Sequence, residues 1–364
     1  MRTILHPILS VLVSAVAVLG AADYPTVIRV GYPGVGNDGY SPVGVSTAGT
    51  IAGKGLFEEE FKAEGIKFEW TFFKGAGPAL NESLANGLLD FASGLGDLPA
   101  IVHRASGIET RILAANARRQ NTYIVVPTDS PAKSLQDLKG KRLALFKGTN
   151  GSLAWAKILK DENLTESDFK VLNFDSATAR GAIATKDIDG YIGGSDVFQL
   201  RNRGVGRVVY TTVGRTPYLG RFTTLLVTKD FEQKYPQIVQ RIVNVWVKEA
   251  AWGSNESNRS DVFKYWGKSG QAWADFKEDY GQDTLASHQS PLLDDHFWNH
   301  YRKGILAAHE FKLIRKTFDL DSWVEPKYIN EALRLQKLEN NWVRYDADGN
   351  PIAGSATAAG AVSR

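Results

Sequence analysis

Residues 137–155 read DLKGKRLALFKGTNGSLAW. Leu143, Ala144, Leu145 and Phe146 make a short apolar run of the length of a buried strand, and the chain breaks at Lys147-Gly148 before resuming as a helix through Thr149-Asn150-Gly151-Ser152. A turn from strand to helix can seat an anion, because the first helical turn carries unpaired N–H groups and a partial positive charge. The motif differs from a nucleotide-binding P-loop, which needs G-x-x-x-x-G-K-[ST]: here Lys147 precedes Gly148 and no Lys follows Gly151. Two readings remain for the turn alone, an ordinary capped helix or a seat for a small oxyanion built from Thr149, Asn150, Ser152 and free backbone N–H groups.

Outward from this unit the chain keeps alternating strands with helices. Strands are predicted at 26–32, 66–73, 90–93, 122–127, 141–146, 170–173, 190–192 and 223–227, with helices between most of them. That alternation predicts βαβ units and mostly parallel sheets. After 227 the pattern turns helical: Ile238, Ile242, Val245 and Trp246 share one helix face, and the polar stretch GSNESNRS (253–260) ends it. Further helices are predicted around 262–280, 294–317 and 325–338.

The chain has 364 residues, 43% hydrophobic and 23% charged, enough for two domains with their own cores. A formal charge of +3 with scattered basic residues argues against nucleic acid as a partner. At the N-terminus, Arg2, an apolar run from Ile8 to Leu19 and the small residues Gly20-Ala21-Ala22 read as a signal peptide (1–22), since the run falls short of the ~20 residues of a membrane span. There is no cysteine, which removes thiol nucleophiles, thiolate metal sites and a lipidated N-terminal Cys. The expected location is the periplasm.

Gly94-Leu95-Gly96-Asp97 forms a second strand-to-helix turn, where Asp97 can also simply cap its own helix. Ligands collect beyond the carboxyl ends of strands in open parallel sheets, so two such turns can face one cleft. Candidate cations near the predicted junctions are Arg118, Arg119, Arg215 and Arg221, with Arg221 placed first because it opens the strand that returns the chain to the first domain. His296 and His300 stand four apart beside Asp295, but the H-E-x-x-H pattern and a third ligand are missing, and no G-x-S-x-G elbow appears. No metal, cofactor or catalytic residue is expected.

Taken together, the leader, GLFEEEF (55–61), FFKGAGPAL (72–80), DFASGLGDLPAI (90–101) and DLKGKRLALFKGTNGS resemble the periplasmic substrate-binding proteins of ABC importers for aliphatic sulfonates, taurine and nitrate, nearest the alkanesulfonate branch. The resemblance runs from about Thr26 to about Tyr328. It implies an α/β fold of two hinged lobes, each a doubly wound, mostly parallel sheet flanked by helices. Lobe I would take 23–117 and 221–345, lobe II 118–220, with 346–364 a disordered tail. It also implies a ligand held by Gly94, Leu95, Gly96 and Asp97, by Thr149, Asn150, Gly151 and Ser152, and by the turn at Asp196, with Thr47, Arg119 and Arg221 as further candidates. The partners implied are a small organic anion, a sulfonate first, and an inner-membrane ABC permease, the receptor acting as a monomer. The chain departs from the family in having Gly94 and Leu95 where hydroxyl residues are common, Gly194-Ser195-Asp196-Val197 in place of W-D-P, and a longer first loop (33–46). Nitrate, taurine or an aryl sulfate ester are alternative ligands. A thiamine-precursor enzyme of related fold is a further alternative, although that class relies on a cysteine-rich motif.

Overall fold

The computed structural model describes residues 24–34, 46–281 and 283–356. The segment read as a signal peptide, and the first loop beyond Gly34, lie outside the described residues. Among those that are described, no helix is long and apolar enough to cross a membrane.

The chain builds two sheets in turn. The first half contributes β1 (Val27–Tyr32), α1 (Thr47–Lys54), α2 (Leu56–Glu60), β2 (Lys67–Phe72), α3 (Ala76–Ala85), β3 (Phe91–Gly96), α4 (Asp97–Ala105) and β4 (Thr110–Gln120). A middle stretch follows with β5 (Tyr123–Pro127), β6 (Arg142–Leu145), α5 (Asn150–Asp161), β7 (Lys170–Asn173), α6 (Ser176–Ala184), β8 (Gly190–Gly193), α7 (Phe198–Asn202) and β9 (Gly206–Thr211). The chain returns through β10 (Arg221–Thr228) into α8 (Lys229–Lys234), α9 (Pro236–Ser254), α10 (Arg259–Gly267), α11 (Trp273–Tyr280), α12 (Leu285–Gln289), α13 (Asp295–Glu310) and α14 (Lys327–Gln336).

The strand orders are β2-β1-β3-β10-β4 and β7-β6-β8-β5-β9. In each sheet four strands share one direction and one opposes it: β10 is antiparallel to β3 and β4, and β5 to β8 and β9. Each opposed strand is the first after the chain has changed sheets. A strand entering a new sheet without a crossover helix is free to pair antiparallel, whereas those joined by α3, α5 or α6 run parallel.

Both faces of each sheet are covered. On the first, Ile28, Val30, Leu113 and Leu225 pack with Trp246 and Ile242 of α9, while Ala92, Leu226 and Ile112 pack on the other face with Tyr301 and Trp323. β3 is buried along its whole length, which is why FASGLG has no outward polar position. The second sheet buries Leu143, Leu145 and Trp155 on one side and Tyr191, Ala144 and Phe198 on the other.

Two strands, β4 and β9, have no counterpart in the sequence reading. β4 carries Asn116 and Arg118 in its interior, both buried. Asn116 accepts from the Ala48 N–H at 2.9 Å and donates to Thr223 at 2.8 Å, and Arg118 forks onto Asp294 at 2.6 and 3.2 Å. Residues 346–356, expected to begin an unstructured tail, instead form a turn: the Asp346 carboxylate accepts from the N–H groups of Asp348 and Asn350, and Tyr345 bridges to Pro351. Gly349 sits at φ +87° with Pro217 and His296 so close that a Cβ would meet Pro217 at 2.8 Å. The rest of that segment lies outside the described residues.

Candidate functional site

A cavity of about 410 Å³ lies between the two sheets. The strand-to-helix units of the second sheet aim at it. Thr149, extended at φ −87°, caps α5 by accepting from the Gly151 N–H at 3.3 Å, and Asp175 caps α6 by accepting from Thr178 at 2.8 Å. Both caps line the cavity with the residues that follow them, Asn150 and Gly151 in α5 and Ser176 and Ala177 in α6. Two helix N-termini therefore converge on one space at the carboxyl ends of β6 and β7.

Three cations line it, Lys74, Arg180 and Arg221, against two carboxylates, Asp175 and Asp196. Asp196 is a hub: it accepts from Arg180 at 3.1 Å, Tyr191 at 2.8 Å and the Gly194 N–H at 3.1 Å. Burial, with the Asp196 charge adding to it, raises the Tyr191 phenol well above its usual range and keeps it a donor. Arg221 donates one Nη2 proton to the Asn121 carbonyl, and its buried Nε has no partner. Among the described residues no carboxylate stands within 4.0 Å of it. The buried Thr122 hydroxyl, on the same wall, also has no partner. Of the two carboxylates, Asp175 is held below its ordinary range first by the Thr178 N–H bond.

Of the twelve residues named from sequence, Thr149, Asn150, Gly151, Asp196 and Arg221 line this cavity. Gly96 stands against Asn150, and a Cβ there would come within 3.0 Å of it, so the first sheet's turn closes directly on the second sheet's. The others stand elsewhere. Ser152 turns inward and accepts from the Gly148 N–H at 3.0 Å. Thr47 donates to Gln289 at 3.1 Å, while Arg119 reaches the Gly349 carbonyl and lies over the Tyr345 ring. Leu95 is core and Gly94, at φ +81°, packs on Asn116. Arg118 and Arg215 are taken by Asp294 and by Glu162.

Asp97 is fully buried behind the cleft and accepts from His300 Nε2 at 2.8 Å, from the Phe222 N–H at 3.3 Å and from its own Leu98 N–H at 2.7 Å. Burial pushes its pKa up, but the His300 bond and the more distant Lys157 charge outweigh this and hold the carboxyl below its usual range. It is thus an acceptor for the protein's own groups, not a donor for a ligand. Lys74, Thr122, Arg180, Tyr191 and Gln271 line the cavity and were missed. Two had a signal: Lys74 lies inside FFKGAGPAL, and Asp175-Ser176 is a helix N-cap with Arg180 inside its second turn.

The histidines near this core set an acid limit. Burial first, then nearby cations, lowers His103 and His300 to about 4 and His296 to about 3. The unfolded chain protonates near 6.5, so below that pH it binds more protons than the folded one and stability falls as pH falls. At pH 5 the loss is about 2 kcal/mol per histidine. A urea midpoint that drops markedly from pH 7.5 to pH 5.0 is the expected result, and equal midpoints contradict it. Among the described residues, no group of three or more His, Cys, Asp or Glu stands together as a metal site would need.

A family profile described as NMT1/THI5 like matches residues 58–253, more than half of the chain. The chain belongs to this NMT1/THI5-like family. The chain is 30% identical over 201 residues to a protein of Bacillus subtilis (strain 168) named for binding aliphatic sulfonates, a match covering 55% of this chain and 59% of that one. It thus spans about three fifths of the length of that curated relative. A structure named as the periplasmic sulfonate-binding protein SsuA of Methylobacillus flagellatus KT superposes with a TM-score of 0.76 at 31% identity, covering 88% of this chain and 97% of the other. The alkanesulfonate-binding SsuA of Xanthomonas axonopodis pv. citri, solved with MOPS, gives 0.67 at 22% identity over 83% and 99%, a likeness of fold. The NMT1/THI5-like member described here therefore has the two-lobed α/β architecture of periplasmic binding proteins.

Proposed function

We propose that this NMT1/THI5-like protein is an exported solute receptor that captures an organic sulfonate, or a related monoanionic sulfur oxyanion, and delivers it unchanged to an inner-membrane ABC importer. The observation that carries this reading is the cavity between the sheets, where the N-termini of α5 and α6 converge with Arg221 and three cations face two carboxylates. A surplus of one positive charge suits a monoanion, and both carboxylates are already occupied, which leaves little to hold an ammonium tail such as that of taurine. The relatives' names point the same way. In this account the two lobes divide after Gln120 rather than after 117, because β4 stays paired to β10 in the first sheet through Gln120: the first-sheet half moves as one lobe and residues 121–220 as the other. They hinge at the two chain crossings, β4 to β5 and β9 to β10, and close on the bound anion.

Thermal unfolding in the presence of candidate ligands tests it. A ligand that binds only the folded state stabilises by RT ln(1 + [L]/Kd), about 2.7 kcal/mol at roughly a hundredfold excess over Kd. The expected result is a raised midpoint with ethanesulfonate, or with MOPS above neutral pH where its morpholine nitrogen is uncharged, and little change with sulfate, nitrate or taurine. A rise with nitrate, taurine or an aryl sulfate alone reassigns the ligand, and no rise with any sulfonate removes the reading.

A further inference from the structure

The stretch from Arg259 to Tyr280 is built onto the first-sheet half yet grips the second. α10 packs on α1 and α9, where Lys54 lies over the Trp252 and Tyr265 rings. Its Phe263 and Trp266 close a small apolar cluster with Phe276 and Tyr280 of α11, against which Trp252 also packs. The polar side of α11 lies on the middle stretch of the chain. Asp279 accepts from Tyr123 at 2.6 Å and from Asn121 at 3.1 Å, the buried Asp275 accepts from Asn202 at 2.6 Å, and Glu278 pairs with Arg201. Just before the helix, Gln271 donates to Ser195 at 2.8 Å and lines the cavity, though only 8% of it is exposed.

We propose that α11 is a clasp that holds the two halves closed over the ligand, and that Gln271 is the residue through which it reads the ligand's uncharged tail. The proposal rests on the receptor reading above. Two crossings are the only backbone links between the sheets among the described residues. Asn121 and Tyr123 sit at the β4-to-β5 crossing and can keep their bonds to Asp279 as the halves part, but separating the sheets while α10 stays in its apolar cluster must break the bonds to Asn202, Arg201 and Ser195, all made by one short segment. Their receiving side includes the turn Gly194–Asp196, which is itself cavity wall, so the clasp and the ligand act on the same piece of the second half. Gln271 reaches that wall with a neutral amide, suited to a polar but uncharged group, while charge is met by the helix N-termini and the arginines.

The test uses the absence of native cysteine. Spin labels at Leu88→Cys and Lys170→Cys, one on each half, report the distance between them. In the ligand-free protein, Arg201→Ala combined with Asn202→Ala, which removes the α11 contacts away from the hinge, is expected to shift the distances to longer values. The same variant should weaken ethanesulfonate and MOPS alike by about tenfold, through faster dissociation. Gln271→Ala should instead change the ratio of the two affinities about fivefold or more, with head-group binding retained. Unmoved distances with a lowered unfolding midpoint overturn the clasp, and an unchanged affinity ratio overturns the role of Gln271. If the wild-type protein binds neither probe, the sulfonate reading fails and the Gln271 assignment falls with it, while the distances still decide the clasp.

Discussion

Arg221→Met raises the dissociation constant for a sulfonate about a hundredfold, roughly 3 kcal/mol, in this account. The side chain opens β10 where the chain re-enters the first sheet, and it lines the cavity beside the Gly194 turn, whose Cα would carry a Cβ only 2.9 Å from Nη2. Arg180 pairs with Asp196, whereas among the described residues Arg221 is held only by a backbone carbonyl and keeps a buried Nε unpaired. A planar guanidinium with free donors matches the oxygens of a sulfonate, and such charge-assisted bonds are the strong ones. Arg221→Lys restores the charge without the fork and should recover only part of the loss. Calorimetric titration of the three proteins decides the matter: equal affinities would mean that the anion sits elsewhere in the cavity.

Asp97→Ala, by contrast, is expected to cost about 3–5 kcal/mol of stability, because it strands groups that Asp97 alone satisfies. The His300 N–H and the Phe222 N–H lose their acceptor, and Lys157, fully buried on α5 and hydrogen-bonded to the Tyr218 carbonyl at 3.3 Å, loses the opposing charge of Asp97. Burial has already lowered Lys157 to about 8, a sign of how little compensation it has. Asp97→Asn, which keeps an oxygen acceptor, should cost less. Adding Lys157→Met to it should return part of the loss, since replacing both charges by neutral groups is often tolerated where removing one is not. Urea unfolding of the series measures this, and additive losses in the double variant would show that Asp97 and Lys157 do not interact.

How far the chain could be read follows from where each residue's partners lie. KGTNGS marked a strand-to-helix turn and three cavity-lining residues, because a turn is a local matter of a few neighbouring atoms, although α5 begins at Asn150 behind a Thr149 cap. GLGD likewise marked a strand-to-helix turn, and Gly96 does meet Asn150. What that turn's carboxylate does was not legible, since its partner His300 lies 203 residues away. β4 was hidden for the same reason: Asn116 and Arg118 look like surface residues until Thr223 and Asp294 are brought to them by the fold. Arg180 and Tyr191 became site residues only through Asp196, a junction that no spacing rule announces. The helical stretch at 262–280 was foreseen as helix, but its attachment to the other half depends on side chains of β5 and α7.

On the receptor reading, the cavity takes up an organic monoanion and lets it go unaltered. Titrating the protein with ethanesulfonate in a calorimeter, then releasing the bound compound by denaturation and recording its proton spectrum, tests both halves at once. One saturable site, strongly weakened in Arg221→Met, and ethanesulfonate recovered intact are the expected results. No heat with any sulfonate, or a recovered compound that has changed, would contradict it.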